Sequence, residues 1–143
     1  DKNFEAECRL SKGWAYVNYL GYISRNEIIK VLSRSKVGVV TLYPMINYLD
    51  SLPIKMFEYM AMGVPILHGV EGESYDIVRK HNLGLYFEGE NPNDLCSVIL
   101  KLYNNKLLHD EISKNCVKTS KLFKREVFAL KMLEEITKIE KSR

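Results

Sequence analysis

Hydrophobic positions along this chain recur with two different periods. Val37–Leu42 (VGVVTL) and Val64–Gly69 are short, continuous apolar runs, whereas the stretches between them place apolar residues every three or four positions. The runs predict strands buried on both faces of a parallel sheet, and the periodic stretches predict helices packed against it. Tyr16–Leu20 reads as a further strand turned by Gly21, and Leu85–Phe87 as a short one. Ser24-Arg25-Asn26-Glu27 has the form of a capping box opening a helix to about Ser35, with Ile28, Ile29 and Leu32 inward. Pro53 starts a helix running from Ile54 to Met62, which Gly63 and Pro65 stop. Further helices are expected from about Tyr75 to His81, from the Asn91-Pro92-Asn93-Asp94 start through Tyr103, and over about Lys106–Leu122 and Arg125–Lys141. Residues 1–15 show no clear period and include the end of a helix before Gly13. The alternation predicts an α/β fold, a Rossmann-like doubly wound parallel sheet with right-handed crossovers, ending in amphipathic helices. It divides the chain into a lead-in (1–15), an α/β core (16–104) and C-terminal helices (105–143) of one domain.

Composition narrows the class without naming a chemistry. At 143 residues, with 46% hydrophobic and 27% charged residues, the chain has the size and balance of one globular domain. No run reaches the ~18–20 apolar residues of a membrane span. Cys8, Cys96 and Cys116 are odd in number, far apart and without clustered histidines, which indicates neither a metal site nor a disulfide framework and suggests a reducing, cytoplasmic setting. The net charge of +3 is uneven: residues 1–104 hold 11 Lys/Arg against 12 Asp/Glu, and residues 105–143 hold 10 against 6. The basic C-terminal part is either a solvated helix face or an attraction to an anionic membrane surface at the inner face of the membrane. No basic stripe with interleaved aromatics supports nucleic-acid binding.

The chemistry concentrates in Asp50–Pro65, DSLPIKMFEYMAMGVP. Met56, Phe57, Met60 and Ala61 fall on one face of the helix, and Lys55, Glu58, Tyr59 and Met62 on the other. A lysine and a glutamate three positions apart thus look outward behind a helix start, where free N–H groups and the dipole favour an anion. A carboxylate accepts two hydrogen bonds, which suits the adjacent hydroxyls of a ribose; the same spacing equally makes a surface ion pair. The preceding loop leaves the carboxyl end of a central strand, where open α/β sheets place ligands. Its Tyr43, Met45 and Tyr48 either flank a nucleotide base or pack locally. His68 ends the next strand as a structural histidine or a ligand's partner, and Gly69 and Gly72 permit close backbone approach.

The segment P-x-K-M-F-E-Y-M-A-M-G-V-P-I at Pro53–Ile66 resembles the signature of the C-terminal, donor-binding domain of GT-B glycosyltransferases, in the retaining group that includes family 4. Val17–Ser24, Gly72–Val78 and Leu83–Phe87 resemble the flanking motifs, so the likeness covers nearly all of residues 16–122. The family carries two glutamates with seven residues between them. The second is matched by Glu58, which implies a ribose ligand, and the first by Asp50, one methylene shorter. The family's glycine-containing turn is replaced by Ser51-Leu52-Pro53-Ile54, where Pro53 lacks an N–H. The resemblance therefore implies that Asp50, Ser51, Leu52, Lys55, Glu58 and Tyr43 bind a nucleotide-sugar, and Asp76 matches an acid of the downstream helix.

From the resemblance the parent protein is expected to transfer a sugar, with retention and without a required metal or other cofactor, to a glycan or lipid-linked acceptor. Two strand–helix units, a basic pair and the N-terminal acceptor domain have no counterpart in this sequence, so the resemblance implies a truncated donor-binding domain that is inactive alone. The alternative is a non-catalytic GT-B-like partner domain, favoured by Asp50 and Pro53. A receiver-type signalling domain is disfavoured, because VGVVTLYP ends without an acid.

Overall fold

The computed structural model describes residues 2–41 and 49–141. Helix α1 (Lys2–Leu10) is followed by a 3₁₀ turn (Lys12–Tyr16), α2 (Arg25–Leu32), β1 (Gly38–Val40), α3 (Ile54–Ala61), β2 (Ile66–His68), α4 (Glu73–Lys80) and β3 (Gly84–Tyr86). Helices α5 (Pro92–Asn104) and α6 (Lys106–Ser120), another 3₁₀ turn (Lys121–Phe123) and α7 (Arg125–Lys141) follow. The three strands form a parallel sheet in the order β1-β2-β3, with Gly38, Ile66 and Gly84 in register. Each crossover carries a helix, the Rossmann-like α/β arrangement that the hydrophobic pattern predicts.

Local chemistry sets most element starts. Ser24 and Glu27 complete the capping box of α2, the Ser24 N–H donating to the Glu27 carboxylate at 2.8 Å. The Asn91 side chain accepts from the Asp94 N–H and the Asn105 side chain from the Leu108 N–H, fixing α5 and α6. The core is built on β2, every residue of which is buried, together with Val40, Met56, Met60, Val78 and Leu83.

Helix α6 seals one end of the sheet. Its His109 ring contacts the Lys36 carbonyl at 2.8 Å, its Ser113 hydroxyl donates to the Gly63 carbonyl at 2.7 Å, and its Cys116 thiol donates to the Leu83 carbonyl at 3.3 Å. These carbonyls immediately precede or begin the approach to β1, β2 and β3. The amino ends of the strands are thereby closed. Burial pushes the Cys116 thiol up to about 12, so it is a packed, unreactive group.

Several expectations change. Tyr16–Leu20 is not a strand: Tyr16 closes the 3₁₀ turn and residues 17–20 pair with no strand of the sheet. A β-prone sequence becomes a strand only beside a hydrogen-bonding neighbour, and Tyr16 and Tyr22 are here almost wholly exposed. Ile29 is exposed, whereas Ile28 and Leu32 are half-buried. In α3 the buried stripe centres on Met56 and Met60, flanked by Phe57 and Tyr59, and Ala61 is exposed. Tyr59 turns inward because Gly38 has no side chain; a Cβ there would lie 2.5 Å from the tyrosine ring. Helix α4 begins at Glu73, two residues earlier than the pattern suggests.

Candidate functional site

Two crossover loops converge at the carboxyl ends of the strands. Gly72 is the N-cap of α4 at φ 113°, and a Cβ at that position would collide with the Leu49 carbonyl. The Glu73 N–H, in the first turn of α4, donates to the same carbonyl at 2.8 Å. The chain entering Asp50 is therefore fastened to the start of α4, and only glycine accommodates both the backbone conformation and the contact.

From that anchor the chain turns through Asp50 and reaches α3. Pro53 is the N-cap rather than the first helical residue, and its carbonyl accepts from the Met56 N–H at 3.0 Å. Neither α3 nor α4 has a side-chain cap, in contrast to α2, α5 and α6. The two helices that follow β1 and β2 thus begin with first-turn N–H groups unserved by a cap, the arrangement that favours an anion. Asp50, Leu52 and Glu58 are exposed, and Ser51 and Lys55 half-buried. Glu58 and Lys55 look away from the Met56/Met60 core stripe, as the wheel requires. Among the described residues no ion pair joins them. Tyr43, with Met45 and Tyr48, lies outside the described residues.

His68, at the end of β2, has a larger place than its sequence position suggested. It is fully buried, its Nδ1 accepts from the Val70 N–H at 3.4 Å, and its ring lies 5.9 Å from that of Tyr75. Burial lowers its pKa first, and the Lys55 charge adds to the lowering. The ring is neutral, with its proton on Nε2, and Nε2 has no partner. Ser74, in the first turn of α4, is also fully buried with its hydroxyl unpartnered. Sequence reasoning weighed His68 and passed over Ser74; an orphaned buried atom is a tertiary property with no sequence signal. Tyr75 stacks near Tyr86 at 4.9 Å, extending the aromatic wall to β3. No group of three or more metal-ligating side chains occurs among the described residues.

The sequence profile of the family described as glycosyl transferases group 1 matches residues 1–121. The chain belongs to that family. A search of curated proteins finds no match. Among solved structures, the glycosyltransferase chain is similar to sucrose-phosphate synthase from Thermosynechococcus elongatus, with a TM-score of 0.76 at 21% identity. The match covers 99% of this chain and 34% of that one. The fold of this group 1 glycosyltransferase chain is accordingly that of a GT-B C-terminal, Rossmann-like half-domain.

Proposed function

We propose that this chain is the donor-binding part of a retaining glycosyltransferase, which takes a sugar from a nucleotide-sugar and delivers it to a glycan or lipid-linked acceptor. The observation that carries the reading is the unpaired Lys55 and Glu58 on the outer face of α3, directly behind a helix start without a cap. Glu58 would accept the two ribose hydroxyls, charge-assisted bonds of roughly 1.5–3 kcal/mol. Asp50, with Ser51 and Leu52 beside it, would meet the sugar. Lys55 and the first-turn amides of α3 would offset the charge developing on the departing diphosphate, so the mechanism requires no metal ion or other cofactor. Pro53 contributes no N–H to this cradle. The acceptor wall would come from a separate N-terminal domain, and a cytoplasmic enzyme meeting a lipid-linked acceptor would work against a membrane; among the described residues no helix is long and apolar enough to cross one.

Ligand-detected NMR titration of the purified chain with UDP, GDP and ADP tests the reading. One nucleotide should bind selectively at about millimolar strength, and Glu58→Ala should abolish the signal while leaving the fold intact. Binding unchanged in Glu58→Ala removes the role assigned to that residue. Silence from all three nucleotides favours the second reading, a non-catalytic GT-B-like partner domain, which the missing Pro53 N–H supports.

A further inference from the structure

Among the described residues, two polar atoms at this end of the sheet are buried and unpartnered, and they come from adjoining elements. His68 Nε2 belongs to the last residue of β2, and Ser74 Oγ to the first turn of α4. The five residues between them are tightly folded: the Val70 N–H holds His68 Nδ1, Gly72 receives the Leu49 backbone, and Tyr75, next to Ser74, lies beside the His68 ring. The Val70 bond fixes the ring with Nε2 directed away from the Gly69–Val70 turn. A buried polar atom without a partner costs about 1–3 kcal/mol, and two such atoms on adjoining elements at this end of the sheet are groups whose cost a ligand oxygen would relieve.

The donor types identify that oxygen. A neutral imidazole N–H donates, a serine hydroxyl donates or accepts, and the first-turn amides of α4 beyond Glu73, whose own N–H holds the Leu49 carbonyl, are donors. Of the charged side chains, Lys55 from α3 exerts its field on His68. Glu71 acts on Tyr86 of β3 instead, and the Glu73 carboxylate is exposed. Donors backed by a cation suit an anionic oxygen.

We propose that His68 Nε2–H and Ser74 Oγ–H bind a phosphoryl oxygen of the nucleotide diphosphate, supplying from β2 and α4 the hydrogen bonds that the proline-containing start of α3 does not. The proposal rests on the donor-site reading above and adds two residues to it. His68 and Ser74 act as binding residues for the diphosphate, while Glu58 serves the nucleoside.

Titrations with matched nucleosides, nucleoside diphosphates and inorganic pyrophosphate, followed by ¹⁵N shifts of the His68 imidazole, separate the two readings. His68→Leu replaces the ring by an apolar group of similar size, and Ser74→Ala removes only the hydroxyl. Each should weaken the bound diphosphate and pyrophosphate by about tenfold and leave the nucleoside unaffected, with His68→Gln restoring part of the loss through its amide N–H. Circular dichroism confirms that each variant is folded before its affinity is compared. Nucleotide binding that is lost in Glu58→Ala but unchanged in His68→Leu and Ser74→Ala overturns the proposal and leaves the donor site standing. Pyrophosphate binding that depends on His68 without any nucleotide binding keeps the anion subsite and removes the nucleotide reading. Absence of both overturns the proposal.

Discussion

His68 illustrates how much a single side chain's surroundings determine. Its ordinary pKa of 6.5 is lowered, by burial first and further by the Lys55 charge. The sign of the consequence follows from linkage: the unfolded chain takes up a proton below about pH 6.5 that the folded chain resists. The stability His68 contributes is therefore present above that pH and is lost as pH falls through it. Urea unfolding at about pH 7.5 and about pH 5.5 should give a lower midpoint at the acid value, and His68→Leu should shrink the difference. Glu27 and Asp110, whose carboxyls are held down by hydrogen bonds from Ser24 and Lys106, act at lower pH still and so do not imitate this effect. Glu58 makes the complementary case. It makes no contact with the core, so its replacement by alanine is expected to remove ligand and spare the fold.

Among the elements, the turn that joins β2 to α4 is the one on which the site depends. Gly72→Ala would place a side chain at φ 113° and against the Leu49 carbonyl at once. It should destabilise the chain by at least ~2 kcal/mol in urea unfolding, and nucleotide affinity should fall with it. Helix starts such as Ser24 and Asn91 were legible from the sequence, because a cap and its partner lie three residues apart and need nothing else. Helix α3 was legible for a similar reason, since Pro53, Met56, Met60 and Gly63 mark its start, buried stripe and end. What escaped the sequence depended on distant partners. Tyr16–Leu20 has strand composition without a neighbouring strand, and Tyr59 turns inward only because the residue facing it, Gly38, is bare. The Ser74 hydroxyl was unreadable because its isolation is fixed by the fold.

For the molecule as a whole, the amino ends of the strands are closed by α6. Helix α6 binds the approaches to all three strands, whereas α7 leaves Phe128, Leu130, Met132 and Leu133 exposed and meets the rest chiefly at the Lys121–Phe123 turn. Removing residues 125–143 should therefore preserve the circular dichroism of the core and lower its melting temperature only slightly. Removing α6 as well should abolish cooperative unfolding, since Ile112 and Cys116 are part of the core.

The 2.8 Å bond from the Glu73 amide to the Leu49 carbonyl makes one backbone proton a reporter of the site. That amide cannot exchange with solvent until the approach to Asp50 detaches from the start of α4, so its exchange rate measures how often the two crossovers separate. A donor that engages both crossovers holds them together, and bound nucleotide should slow deuterium uptake at Glu73 more than at amides inside α5. In that sense the loop and the helix respond as one hinge leaf, and a ligand gripping either one is felt by the other.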